Sequence, residues 1–237
     1  MTTSRTTNPT TPVPDGPHTP DIAFDERTTD RLAIRRFQAQ DASTLAAYRS
    51  DPKIARHQSW NSPFTLAEAQ AFIAGFAGTN PDTPGAWFQF ALVEAATGTH
   101  VGDVAAGVDA DDPRLATIGV TLSTSAQGNG YASEAVTWLL DYLFHERKKH
   151  RVTADCDVRN DSVVALLERL QMRREAHHLQ SAWPGLNRMW WHAGERFGVR
   201  GGSSALDSAV WATRMSGWAC AYASAGLGSG GRAGISG

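Results

Sequence analysis

The chain has 237 residues, 41% of them hydrophobic and 19% charged, with a net charge of -2. That is enough for one ordinary domain with tails, and the near-neutral balance gives no basic bias toward nucleic acid. Its two cysteines, Cys156 and Cys220, lie far apart and make no CxxC pair, which excludes a disulfide framework and makes a reducing cytosol the expected setting.

The opening stretch "MTTSRTTNPTTPVPDGPHTP" has no apolar h-region, so no signal peptide is expected. Nor does a run of about 18 apolar residues occur that would cross a membrane. Residues 1–27 are rich in Thr and Pro and are expected to be a disordered tail. "RLAIRRF" alternates Leu32 and Ile34 with arginines, as a strand does. "DASTLAAYRSD" starts at a capping Asp41 and carries Leu45 and Tyr48 at helical spacing. Thr65 and Glu68 form a capping box ahead of a helix with Phe72, Ile73 and Phe76 on one side. "AWFQFALVEAATGTHVGDVAAGVD" reads as two strands about a turn at Thr97, Gly98 and Thr99. "LATIGVTLS" is a third strand, and "ASEAVTWLLDYLFHER" is a helix whose inner face is Ala135, Trp138, Leu139, Tyr142 and Leu143. "HRVTADCDV", "NDSVVALLERLQM" and "REAHHLQSAW" follow as strand, helix and strand, with one more strand left open. Three consecutive strands before the central helix argue against a doubly wound sheet. They favour an α+β domain, one mixed sheet flanked by helices on both faces.

Between the third strand and its helix lies "STSAQGNGY". Backbone N–H groups at a helix start lack partners within the helix, and the dipole there favours an anion. Gly128 and Gly130 permit positive φ and close approach, so the loop N–H groups can form an anion-binding nest. A Walker A loop is excluded because no lysine follows, and a dinucleotide fingerprint is excluded because only "GNG" is present and no βαβ unit surrounds it. "HERKKH" spaces its histidines five apart, off the one-turn zinc spacing, so no metal site is expected.

"AQGNGYASEAV" resembles motif A of the GCN5-related N-acetyltransferases (GNAT), Q/R-x-x-G-x-G/A, with Gln127, Gly130 and Ala132 in the signature positions. "HRVTADCDVRNDSVVALLERL" and "DPKIARHQSWNSPFTLAEAQAFI" resemble the strand, helix and two-helix lid of the RimJ/RimL-like branch. The resemblance runs from about residue 31 to about 183 and implies a GNAT fold over residues 28–195. It implies acetyl-CoA as co-substrate, with no metal. Its pyrophosphate would lie on the N–H groups of Gln127, Gly128, Asn129, Gly130, Tyr131 and Ala132. The strand end around Leu122 would pair with pantetheine where two parallel strands splay, and Asn160 would face the same ligand or simply cap its helix. The implied function is N-acetyl transfer to a primary amine, on a protein N-terminus or a small molecule, by direct attack. The alternatives are a non-catalytic acyl-CoA-binding relative and an unrelated nucleotide-binding module. The branch often forms homodimers, and oligomeric state is left open here.

The amine must lose a proton to attack, and the thiolate must gain one. The branch often places serine three residues after the asparagine. Here Val163 holds that position and Ser162 precedes it, so Ser162 is the candidate acid. Asp155 and Asp157 share a strand face, and Asp157 is the candidate base or orienting group. Trp60, with Tyr48 and His57, is a candidate lining of the acceptor site because the segment falls in the lid. His177 and His178 are candidates by residue type alone. Gln171 stands where the family usually has a glycine in a left-handed cap.

After about residue 184 the pattern is lost. Ten of the forty residues from 198 to 237 are glycine, and no lysine follows Lys149. Residues 196–237 are expected to be flexible. A shifted reading frame in GC-rich coding DNA would produce such text, and would damage the final hairpin.

Overall fold

The structure is a computed structural model that describes residues 24–58, 60–178 and 188–194. Alternation sets the sheet. In β3 (Trp87–Glu94), Phe88, Phe90 and Leu92 turn to one side, and Gln89 and Ala91 to the other. The same period places Leu32 and Ile34 of β2 (Leu32–Arg36), Val104 and Ala106 of β4 (His100–Val108), and Ala116 and Ile118 of β5 (Leu115–Leu122) on that apolar side. Val152, Ala154 and Cys156 of β6 (Arg151–Asp157) complete it. Two helices cover this face. α4 (Tyr131–Asp141) contributes Ala135, Val136, Leu139 and Leu140, and α5 (Asp161–Arg169) contributes Leu166 and Leu167. Full burial of each such large apolar side chain contributes about 1.5–3 kcal/mol, which makes this face the main source of stability.

The opposite face carries polar side chains and is partly roofed by α1 (Ala42–Ser50), α2 (Pro52–Ala55) and α3 (Leu66–Gly75). These pack through their own cluster of Leu45, Tyr48, Ile54, Ala69 and Ile73. The Thr65–Glu68 capping box is present at the start of α3. The expected fold class is therefore found: an α+β domain with helices on both faces.

With the two-residue β1 (Arg27–Thr28), β7 (Arg173–His178) and β8 (Arg188–Gly194), the sheet order is β1-β2-β3-β4-β5-β6-β8-β7. Every neighbouring pair is antiparallel except β5 with β6. The open question of one more strand is answered by β8, which lies between β6 and β7. It pairs with all seven residues of β6, and its Trp191 and Ala193 are buried. The described residues of this final hairpin pair with each other and with β6. Its turn, residues 1–23 and residues 195–237 lie outside the described residues, while Phe24, which the sequence placed in the tail, is buried in the core, and Arg27 opens β1.

Helix ends show two departures from simple propensity. α4 widens into a π-helical turn, Tyr142–Glu146. α5 ends in a Schellman motif: Met172 N donates to Leu167 O (3.0 Å) and Gln171 N to Glu168 O (2.9 Å). Gln171 takes φ 56°, the left-handed conformation the missing glycine would adopt freely. Gln171→Gly is expected to raise stability by about 0.5–1 kcal/mol. Thermal unfolding should register this as a Tm roughly 1–4 °C higher.

Candidate functional site

The parallel pair β5–β6 is hydrogen-bonded only from Leu115↔Arg151 to Ile118↔Ala154. Beyond that, β5 runs on to Leu122 against β4, and β6 runs on to Asp157 against β8. The sheet therefore opens a gap between the C-terminal ends of two parallel strands. Ser123 N donates to Val101 O across to β4 (2.9 Å). Backbone alternation then turns the polar groups of Val120 and Leu122 the other way, into the gap. The Leu122 carbonyl there accepts from Gln127 Nε2 (3.1 Å), so Gln127 ties the loop to the strand end. Gly119, the first residue past the last pair, has nothing within 4 Å of where a Cβ would sit.

The glycine loop closes the mouth of this gap. Gly128 and Gly130 take φ 81° and 83°. Gly130 is the N-cap of α4 and offers no side chain to the first turn. Among the described residues, the N–H groups of residues 127–132 donate to no protein acceptor. A row of unsatisfied donors in a left-handed nest at a helix N-terminus is suited to a pyrophosphate.

The loop is held from outside. Arg31 Nη1 donates to Asn129 O (2.8 Å), and the Arg31 guanidinium lies over the Tyr131 ring (4.8 Å). Glu134 accepts from Arg31 N and Nε (both 2.8 Å) and from Thr29 Oγ1 (2.6 Å). These bonds hold its carboxyl below the ordinary value although burial acts against them. Helix-dipole electrostatics suffice to explain Glu134 from the sequence. The structure adds a clasp between α4 and the β1–β2 turn. Tyr131 Oη donates to Glu94, which raises the phenol.

Asn160 caps α5, accepting from Val163 N (3.3 Å). Ser162 is exposed as the second residue of that helix, and Val163 packs toward the core. The one-residue offset from the expected serine thus turns Ser162 off the core-facing line.

Asp157 ends β6 with its side chain 0% exposed. Arg159 Nε and Nη2 bind its two oxygens (3.0 and 2.6 Å), and Arg159 N donates as well (3.0 Å). Those hydrogen bonds from Arg159 outweigh burial and hold the Asp157 carboxyl at about 2. Such a carboxylate is a weak base and is suited to orient a neighbouring group. Because its folded value lies below the ordinary 3.8, Asp157 contributes stability that is full above about pH 4 and lost as pH falls through about 2. The stability difference between wild type and Asp157→Asn should therefore shrink below pH 4 and vanish near pH 2, as urea unfolding at stepped pH would show.

The lid meets the sheet through a buried polar network that the sequence did not single out. Tyr48 Oη donates to Asp103 on β4, and Arg49 Nη2 donates to Gln89 Oε1 (3.0 Å). Burial nevertheless pushes Asp103 up. The Arg49 guanidinium stacks on Trp60, Phe64 and Phe72 (4.7, 5.1 and 4.2 Å). Trp60 Nε1 donates to Arg49 O (3.0 Å), and the half-buried Trp60 ring packs against the lid cluster. Tyr48 is buried. The side chains of His177 and His178 lie outside the described residues. Among the described residues, no group of His, Cys, Asp and Glu is arranged to hold a metal.

Residues 31–173 match the family model described as the acetyltransferase (GNAT) domain, more than half of the chain. The chain belongs to the GNAT acetyltransferase family. Among curated proteins it is similar to the uncharacterized N-acetyltransferase p20 of Bacillus licheniformis, at 28% identity over 62% of this chain and 82% of that one. Among solved structures it shares its fold with the ribosomal-protein-S5-alanine acetyltransferase of Vibrio fischeri. That match has 19% identity and a TM-score of 0.62, and covers 75% of this chain and 100% of that one. The spermidine N-acetyltransferase of Vibrio cholerae, solved with CoA and spermine, matches at 17% identity and a TM-score of 0.61, over 70% and 97% of the two chains. The GNAT fold expected from motif A is thus found, and the chain is an N-acetyltransferase by family.

Proposed function

We propose that this GNAT protein transfers an acetyl group from acetyl-CoA to a primary amine. The observation that carries the reading is the nest of unsatisfied N–H groups at residues 127–132, set at the mouth of the β5–β6 gap. The nest suits the pyrophosphate, and the gap-side polar groups of Val120 and Leu122 suit the pantetheine amides. Asn160, at the far lip, faces the same ligand while it caps α5. The amine nitrogen attacks the thioester carbonyl carbon, the C–N bond forms, and the C–S bond breaks. One proton leaves the amine and one reaches the sulfur. The N–H groups on the gap side are the donors for the carbonyl oxygen as its charge grows. Ser162, exposed beside the cap Asn160, is the proposed proton donor to the thiolate. The acceptor is a protein N-terminus or a small amine; the Vibrio structures above are named for a ribosomal-protein alanine and for spermidine.

The test is a thermal-shift titration with acetyl-CoA, ATP and NAD, followed by thiol release with spermidine and with an alanine-initiated peptide as acceptors. A concentration-dependent rise in Tm with acetyl-CoA alone is the expected result. A protein that melts cooperatively yet is equally indifferent to all three ligands would overturn the reading.

A further inference from the structure

The short helix α2 spans the mouth of the β5–β6 gap. At its start, Asp51 Oδ2 accepts from Thr124 Oγ1 (2.5 Å), just past the end of β5. At its other end, His57 reaches the end of β6, with Nδ1 3.6 Å from Asp157 Oδ2. The imidazole is therefore held over the opening through which a thioester in the gap would meet an acceptor. Three observations define its state. His57 Nε2 accepts from Arg56 Nε (2.9 Å). An accepting Nε2 carries no proton, so in the neutral ring the proton is on Nδ1, facing the carboxylate. That Nδ1 is buried and has no hydrogen-bond partner. Asp157 is itself kept ionised by Arg159.

We propose that His57 is the general base for the amine, and that Asp157 is a positioning residue that fixes its tautomer and stabilises the imidazolium. This rests on the acetyltransferase reading above. Nε2 already receives a cationic N–H donor, the exposed Arg56, and a protonated amine offers the same donor in its place. The proton then passes from the ammonium nitrogen to Nε2, freeing the lone pair that attacks the carbonyl carbon. The positive charge on the ring is met by Asp157 across the 3.6 Å contact. That contact is long for a hydrogen bond, as bonds between reacting groups often are before substrate tightens them. The charged groups placed against His57 are Asp157 from β6, itself bound by Arg159, and Arg56 from its own segment.

Two measurements on the full chain test this. Long-range 15N NMR of the His57 ring, assigned by its loss in His57→Gln, reads the tautomer without any acceptor. Nδ1–H is expected in the wild type, with a shift toward Nε2–H in Asp157→Asn; a wild-type Nε2–H ring would overturn the pairing. The second is the pH profile of kcat/KM with whichever of spermidine or the alanine-initiated peptide is turned over. His57→Gln and His57→Asn, the latter keeping an amide near Nδ1, should each lose about 10²–10⁴-fold. Both should also flatten the acid limb of the wild-type profile, while their acetyl-CoA thermal shift is retained. Unaltered activity or an unaltered acid limb in both variants would overturn the proposal. If the wild type acetylates neither amine, the acetyl-CoA titration decides the acetyltransferase reading separately, and the NMR result decides the His57–Asp157 pair.

Discussion

Gly130→Val is expected to weaken acetyl-CoA binding by about 100-fold, close to 2.7 kcal/mol at 25 °C, while the protein still melts cooperatively. Gly130 sits at φ 83°, and a β-branched residue there is a steric outlier. The loop would leave the left-handed conformation, and its N–H groups would no longer converge. The new side chain would also press on Arg31 Nη2, which lies 3.3 Å from where the Cβ would be. That guanidinium is the far end of a flexible, half-exposed side chain, so it can give way, and the cost to folding should stay near 1–2 kcal/mol. Gly128→Ala is the milder companion. It meets nothing within 4 Å, and its φ of 81° alone carries the penalty. Isothermal titration of both variants with acetyl-CoA orders them. Wild-type affinity in Gly130→Val would remove the loop from the ligand site.

Gly102→Ala is expected to be the most damaging single-methyl change in the sheet. Gly102 lies on β4 next to the register shift between Leu92 and Val93, at φ 156°. An added Cβ would stand 2.2 Å from Thr121 O and 2.8 Å from Leu122 Cα, both backbone atoms of β5 that cannot swing aside. Overpacking and strain each cost about 1–3 kcal/mol, so a loss of about 4 kcal/mol is expected. Tm should fall by roughly 8–16 °C. Because the clash falls on the end of β5, the gap is distorted as well, and acetyl-CoA should stabilise the surviving fold less. Gly119→Ala is the control, since its Cβ meets nothing within 4 Å. Its Tm should stay close to wild type. Calorimetry on the two proteins settles the comparison, and a Gly102→Ala melt matching the control would show that β4 and β5 are not so closely apposed.

Local rules were enough for much of this protein. Period-two alternation placed β2 to β6, and the Thr65–Glu68 pair marked the start of α3, because each signal lies within a few consecutive residues. The left-handed cap at Gln171 was expected from the resemblance, since the family usually has glycine there, and Gln171 takes φ 56°. The glycine loop was legible for a related reason. Only a backbone that must turn left-handed between strand and helix places Gly128 and Gly130 two apart, and both glycines take that conformation.

What sequence left open depends on contacts between distant segments. Asp157 read as a candidate base or orienting group, but its contacts with Arg159 and His57 follow no periodic signal. The bond from the Trp60 indole to Arg49 O was equally invisible in the sequence. The place of β8 between β6 and β7 could not be read from a segment without alternation, because the neighbouring strands and not its own pattern set its register. Sequence alone therefore determined most of the elements, the mixed α+β class and the left-handed glycine loop, all products of near-neighbour sterics and hydrogen bonding. Only the tertiary structure decided where β5 and β6 part and that α2 bridges the opening. It alone decided which carboxylate meets which base, since those follow from the packing of residues up to a hundred positions apart.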